Sequence, residues 1–140
     1  MDQISPINEE YHFEKEDVLI SQTDLEGNIL YVNKKFQEVS GYSYDEIVGK
    51  PYSILRHPDM PDEVFEKMWE TLHSGQVYSG IIKNLRKDGK YYWINLEILP
   101  IRDDNNEDII TYMSIARKAS QKDIDENEAI YQKMVSAKGA

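Results

Sequence analysis

Six consecutive residues, Arg56-His57-Pro58-Asp59-Met60-Pro61, combine a guanidinium, an imidazole and a carboxylate with two prolines. Each proline disfavours helical backbone at the residue before it, which predicts a stiff, extended connector. Such a connector exposes N–H groups and side-chain donors that can hold an anionic or heteroaromatic ligand at the mouth of a pocket. The same residues also fit a plain turn between two helices, closed by a local pair between Arg56 and Asp59.

A buried amide is the second chemical signal. Counting by twos along a strand predicted over residues 77–87 places Tyr78, Gly80, Ile82 and Asn84 on one face. If Ile82 faces the core, so does Asn84, and a buried amide without a partner costs about 1–3 kcal/mol. Asn84 is therefore predicted either to bind the edge of a ring-shaped ligand or to pair with backbone. Gly80 either lets such a ring lie close to the strand or marks a β-bulge.

Four further side chains are candidates for the same region. Phe65 and Trp69 follow helical spacing on a helix predicted over residues 61–74, and they serve as pocket wall or as ordinary core. Asn33 is predicted to cap the helix that follows it, and it can also face the pocket as a donor. His73 is predicted to lie at the solvent-facing end of the long helix; as an axial ligand it would instead indicate haem.

The order of the predicted elements positions these side chains. Two strands, several short helices, one longer helix and three further strands predict an α+β fold, in which a five-stranded antiparallel sheet carries short helices on one face. A ligand pocket is expected between the sheet and the helices. The strands are predicted over residues 18–23, 29–32, 77–87, 90–100 and 109–117, and the helical segments over residues 34–40, 44–48, 51–55 and 61–74.

Composition limits the class of partner. The chain has 140 residues and a formal net charge of −10, which argues against nucleic acid and anionic membrane surfaces as partners. It has no cysteine, and no apolar run approaches the roughly 20 residues of a membrane helix, so membrane insertion is not expected. No catalytic triad, phosphate-binding glycine loop or dense metal-ligand spacing is evident, so neither an enzyme nor a metal site is expected.

The chain is predicted to divide into three parts. Residues 1–17 form an N-terminal cap, with a short helix as one option, and residues 18–119 form the globular domain. Residues 120–140 form an amphipathic helix that leaves the domain to pair with another chain. A frayed tail is the alternative for this last part.

Four segments carry a family pattern: Thr23–Asn33, Phe36–Tyr42, Glu46–Lys50 and Arg86–Gly89. They resemble the opening hairpin, the segments that follow it and the turn before the fourth strand of PAS domains. The resemblance covers roughly residues 18–120. It implies that residues 18–119 are a PAS sensory domain and that residues 120–140 are a signalling or linker helix.

Three more segments make the resemblance specific: Arg56–Pro61, Met68-Trp69 and Ser79–Asn84. They resemble the Aer type of PAS domain, the flavin-binding sensors of bacterial aerotaxis and energy taxis. The resemblance implies non-covalent FAD and a non-enzymatic sensor of redox, oxygen or energy state. A cytoplasmic location is expected, since a composition without cysteine is compatible with it. The implied partners are a second copy of the chain and a signalling protein or output domain, of the chemoreceptor, HAMP or kinase type.

The same resemblance implies roles for individual residues. Arg56, His57 and Asp59 are expected to bind the cofactor, with Arg56 at the pyrophosphate and Asp59 at the ribose or adenine. Asn84 is expected at flavin N5, which changes from hydrogen-bond acceptor to donor on reduction, so that a flip of the amide reads the redox state. Tyr78 stands where the Aer type usually has tryptophan, and weaker packing against the isoalloxazine is expected.

Alternatives to FAD remain open at the level of sequence. FMN could replace it, a haem sensor would use His73, and a PAS domain without cofactor would serve dimerisation or docking. The lack of cysteine excludes the flavin–thiol photoadduct used by light-sensing relatives.

Overall fold

A computed structural model describes residues 4–139 of the chain. Strands and helices follow one another in the predicted order, with boundaries within three residues of those expected. The strands are β1 Leu19–Thr23, β2 Ile29–Val32, β3 Tyr78–Leu85, β4 Tyr91–Arg102 and β5 Ile109–Lys118; the helices are α1 Lys34–Ser40, α2 Tyr44–Ile47, α3 Asp62–His73 and α4 Gln121–Gly139, and a 3-10 turn spans Tyr52–Leu55.

The five strands form one antiparallel sheet in the order β2-β1-β5-β4-β3. The predicted α+β fold, a five-stranded antiparallel sheet with helices on one face, is therefore confirmed. Strand β3 lies at one edge of the sheet beside β4, with Asn84 directly opposite Tyr92. Since side chains alternate between faces, Ile82 and Asn84 face the helices, while Ile81 and Lys83 face the opposite side.

Local sequence explains where the helices begin. The Asn33 side chain accepts a hydrogen bond from Phe36 N–H and caps α1, as predicted. Ser43 and Glu46 form the predicted capping box of α2, in which each side chain accepts from the other residue's backbone N–H. Helix α3 begins after Pro61 and buries Val64, Met68 and Leu72, because helical periodicity puts them on one face.

The N-terminal segment is not helical within residues 4–17, so the option of a short helix there is wrong. The segment runs extended beside β4, where Tyr11 N–H donates to the Tyr91 carbonyl at 2.8 Å and Tyr91 N–H donates to the Glu9 carbonyl at 3.0 Å. Phe13 is buried and meets the Tyr92 ring edge-to-face at 6.2 Å between centroids. Residues 1–3, which belong to the same predicted cap, lie outside the described residues.

Helix α4 packs on the domain, so the expectation that it leaves the domain is wrong. Its Tyr131 hydroxyl donates to the Ile81 carbonyl at 2.5 Å, and its ring lies parallel to Trp93 with centroids 6.4 Å apart. Near the C-terminal end, Lys138 Nζ is 2.7 Å from Glu63 Oε1 on α3. Within residues 4–139, no helix has the length and hydropathy that a membrane span requires.

Candidate functional site

A cavity of about 150 Å³ lies between the inner face of the sheet and α3, at the place where the sequence predicts a pocket. The β1–β2 turn and the 3-10 turn close its sides. Apolar and aromatic side chains dominate its walls, with a few polar groups among them, as in many small-ligand sites. The lining residues are Thr23, Glu26, Gly27, Pro51, Tyr52, Ser53, Arg56, Phe65, Met68, Trp69, Leu72, Ile82, Asn84, Leu96, Ile98, Tyr112 and Ser114.

Five of the sequence-predicted site residues line this cavity: Arg56, Phe65, Trp69, Ile82 and Asn84. The two-residue period of β3 brings Ile82 and Asn84 to its floor. The helical period of α3 brings Phe65 and Trp69 to its opposite wall. These placements make the five residues candidate ligand contacts.

Asn84 is 4% exposed and lines the cavity. Its backbone pairs with that of Arg56, so the connector is bound directly to β3. On the neighbouring strand, Tyr92 is also buried, and its side chain lies next to the Asn84 amide. Burial raises the pKa of Tyr92, and the neighbouring Tyr52 adds to the effect, so the Tyr92 hydroxyl remains a neutral donor.

Arg56 holds its guanidinium at the cavity wall. The guanidinium carbon lies 3.8 Å from the centroid of the Phe65 ring, a cation–π contact, and Nη1 is 3.5 Å from Asp62 Oδ1. The Nε atom is buried and has no hydrogen-bond partner in the described part of the chain. The Arg56 guanidinium is therefore held in place at the cavity, and its Nε–H remains available as a hydrogen-bond donor.

Sequence reasoning missed the polar side chains that other elements contribute, chiefly Tyr52, Tyr112 and Ser114. Tyr52 lies in the 3-10 turn, and burial raises its pKa. Tyr112 and Ser114 alternate with outward-facing residues on β5, where both are buried. The same two-residue alternation that predicts a buried Asn84 on β3 also predicts that Tyr112 and Ser114 share one face of β5.

Asn33 lies outside the cavity lining, and its side chain is fully engaged elsewhere. Oδ1 accepts from the N–H groups of Ile20 at 3.1 Å and Phe36 at 2.9 Å, and Nδ2 donates to the Val18 carbonyl at 2.9 Å. The residue therefore joins the start of α1 to β1. This structural role accounts for all the contacts that its amide makes.

Tyr78 and Gly80 also lie outside the cavity lining. A Cβ atom built on Gly80 would lie 2.5 Å from the Tyr78 hydroxyl oxygen, which shows that the Tyr78 ring lies across Gly80. Burial raises the pKa of the Tyr78 hydroxyl. Glycine therefore admits a tyrosine at this position, and whether either residue contacts a cofactor stays a prediction.

His57 and Asp59 face β3 from its other side and do not line the cavity. The buried His57 ring accepts the Asp59 N–H at Nδ1, at 3.0 Å, and the Asp59 carboxylate lies 2.9 Å from Lys83 Nζ. Burial lowers the pKa of His57, and the Lys83 charge lowers it further. Burial would raise the pKa of Asp59, but the hydrogen bond and charge of Lys83 bring it below its usual range.

The polar groups that line the cavity can be compared with the hydrogen-bonding groups of a flavin. Two lining residues present polar groups to a ligand: Asn84 has a buried amide, and Arg56 has an Nε atom without a hydrogen-bond partner among the described residues. A heteroaromatic edge with donors and acceptors is the kind of group that satisfies such atoms. The three histidines are absent from the lining, and His73 is exposed beside Trp69. The donor set therefore fits a flavin better than haem.

Comparison with known proteins identifies the family. The PAS fold model matches residues 29–114. An aerotaxis receptor of Escherichia coli (strain K12) is 42% identical over 113 residues, which are 81% of this chain and 22% of that protein. A nitrogen fixation regulatory protein of Klebsiella oxytoca is 32% identical over 107 residues, which are 76% of this chain and 21% of that protein. The chain spans about a fifth of the length of these relatives.

Solved structures agree with this result. A light-oxygen-voltage domain studied with a flavin analogue matches with a TM-score of 0.71 at 24% identity, over 85% of this chain and 87% of that chain, and shows the fold alone. A PAS domain from Colwellia psychrerythraea matches with a TM-score of 0.67 at 27% identity, over 74% of this chain and 87% of that chain. The chain belongs to the PAS family, and its resemblance to the Aer type is confirmed.

Proposed function

We propose that this PAS domain binds FAD non-covalently and signals redox, oxygen or energy state. The observation that carries the proposal is the buried amide of Asn84, which lines the inner cavity and lies directly opposite Tyr92 of β4. The aromatic wall made by Phe65 and Trp69 suits a planar ring. Similarity to an aerotaxis receptor supports the choice of signal.

A bound flavin would supply reversible uptake of electrons and protons at its ring. Asn84 would hold a ring atom that accepts a hydrogen bond in one redox state and donates one in the other, because an amide offers both an N–H₂ and a carbonyl. The Tyr92 hydroxyl would support one orientation of that amide. Arg56 would hold an anionic group at the cavity wall, and with FAD that group is the pyrophosphate.

Strand β3 connects the inner cavity to other parts of the domain, so a change at the cavity could be transmitted through it. Asn84 lies on its inner face and pairs through the backbone with Arg56, Lys83 holds Asp59 of the connector, and the Ile81 carbonyl holds Tyr131 of α4. A small shift of β3 would therefore alter the contacts of both segments. Such a shift transmits a signal only if the two arrangements of the chain bind the two redox forms with different affinity.

The proposal for the whole signalling unit follows from the same similarity. The domain would act without catalysis of its own, in the cytoplasm, as a homodimer. Its output would pass to a chemoreceptor, HAMP-type or kinase partner, or to a domain of that kind in a longer protein. Residues 18–119 would form the sensory domain, and residues 120–140 would carry the signal.

The absorption spectrum of the purified protein tests flavin binding first. Bands near about 370 and 450 nm that bleach with dithionite are expected, and chromatography after acid release would separate FAD from FMN. An intense Soret band would instead establish haem. A protein that stays colourless after incubation with FAD would refute the proposal.

The variant Asn84→Ala tests the residue that carries the proposal. It is expected to lower flavin content or shift the reduction potential, because the ring would lose its amide partner. The matched control is Asn95→Ala, since Asn95 is an exposed asparagine on the neighbouring strand β4 and lies outside the cavity lining. Unchanged flavin content and potential in Asn84→Ala would remove Asn84 from the mechanism.

A second candidate function is a PAS docking module that binds no cofactor. One observation favours it: the cavity volume of about 150 Å³ is below the approximately 300–1,000 Å³ typical of ligand pockets. To bind FAD in a cavity of this volume, the domain would need its lining side chains to move apart. The same reconstitution with FAD separates the two functions, since a docking module would stay colourless.

A further inference from the structure

A second cavity, of about 370 Å³, lies on the opposite side of β3 from the first. The connector forms one wall, α4 forms the other, and the outward faces of β3 and β4 form the floor. Its volume falls within the approximately 300–1,000 Å³ of small-ligand sites. The lining residues are Pro58, Asp59, Met60, Lys83, Trp93, Glu128, Tyr131, Gln132, Val135 and Ser136.

An aromatic pair shapes this second cavity. The Trp93 and Tyr131 rings are parallel within 8°, and the Tyr131 hydroxyl is anchored by its hydrogen bond to the Ile81 carbonyl. Burial raises the pKa of Tyr131 to about 12, so the anchoring hydroxyl remains a donor at neutral pH. Two rings held in this way present a rigid π surface, which attracts cations and packs against apolar groups.

The charges around the cavity favour a cation over an anion. Asp59 and Glu128 contribute two carboxylates, and Lys83 contributes the one ammonium among the lining residues. Lys83 is held by Asp59 and lies 4.5 Å from the centroid of the Tyr91 ring and 5.9 Å from that of the Trp93 ring, so Lys83 and Asp59 compensate each other's charge. Glu128 has no ion pair among residues 4–139. The net charge of −10 on the chain acts in the same direction.

We propose that this second cavity binds an amphipathic organic cation, an ammonium group on an aromatic or branched aliphatic body. The ammonium would face Glu128, the body would pack on Trp93 and Tyr131, and Gln132 would offer an additional acceptor. Because the ligand would touch both the connector and α4, it would stabilise the arrangement in which α4 is packed on the domain. This site is separate from the inner cavity and does not depend on flavin.

A matched pair of probes tests the proposal. The protein labelled with ¹⁵N is titrated with 2-phenylethylammonium and, separately, with 3-phenylpropionate, which presents a carboxylate on a similar body. The amine is expected to shift the Trp93 indole and Gln132 signals saturably at millimolar concentration, whereas the carboxylate is not. Equal binding of both probes, or no saturable shift with the amine, would overturn the proposal.

Two substitutions in α4 test whether the Glu128 carboxylate binds the ammonium group of the probe. Glu128→Gln is expected to weaken amine binding about fivefold, the size of effect that a partly exposed ion pair supports. Glu126→Gln is the matched control, because Glu126 is exposed on the same helix and does not line the cavity. Full affinity in Glu128→Gln would place the ammonium elsewhere and would refute the assigned orientation. Repeating the titration with and without FAD separates this test from that of flavin binding.

Discussion

Replacement of Tyr131 by phenylalanine removes the hydroxyl that binds α4 to the edge strand and keeps the ring that packs on Trp93. The lost hydrogen bond and the unpartnered Ile81 carbonyl together cost about 1–2 kcal/mol. In a chain of this size, that free energy lowers Tm by roughly 5 °C. Removal of the whole ring in Tyr131→Ala adds lost packing, for a total of about 3 kcal/mol.

Urea unfolding at neutral pH measures these differences as a shift of midpoint at constant slope. Tyr31→Phe is the control, because Tyr31 is 44% exposed and its ring contacts Tyr44 at the surface of β2. We expect less than about 0.5 kcal/mol from this exposed change. If Tyr131→Phe is as stable as Tyr31→Phe, then α4 does not pack on β3 in solution as described, and the coupling proposed through β3 loses its contact with the helix.

Three other predictions concern residues outside the inner cavity. Gly80→Ala should destabilise the fold by about 1–3 kcal/mol in urea unfolding, because its Cβ would meet the Tyr78 hydroxyl at 2.5 Å. Asn33→Ala should cost about 2 kcal/mol in the same assay, since the start of α1 and the β1 backbone both lose partners. Stability should also fall as the pH falls below about 6.5, because burial and the Lys83 charge lower the pKa of folded His57 and the unfolded chain then binds more protons.

Each of these predictions has a result that contradicts it. Wild-type stability in Gly80→Ala would mean that the Tyr78 ring is free to move away. An Asn33→Ala loss no greater than that of an exposed asparagine would show that water replaces its partners. For the pH effect, His57→Asn keeps an acceptor for the Asp59 N–H but does not titrate, so its stability should depend less on pH between about 5 and 7. An identical pH dependence in wild type and variant would exclude His57 as the cause.

The lining of the inner cavity shows how much of the site could be predicted from the sequence pattern. Asn84, Ile82, Phe65 and Trp69 were predicted from the period of a single strand or helix, and the structure brings all four to one cavity. The motif that contains His57 and Asp59 was predicted to face the same ligand, but both side chains lie on the other side of β3. A pattern read within one segment cannot tell which side of a neighbouring strand that segment will contact.

The amino-acid sequence by itself determined the elements, their order and the sheet, because capping side chains, turn residues and apolar periodicity act between neighbours along the chain. The asparagine cap of α1, the capping box of α2 and the alternation on β3 are such signals. Only the tertiary structure decided which polar groups meet. The Tyr131 hydroxyl and the Ile81 carbonyl are 50 residues apart, and they meet because α4 packs on β3, an edge strand of the sheet.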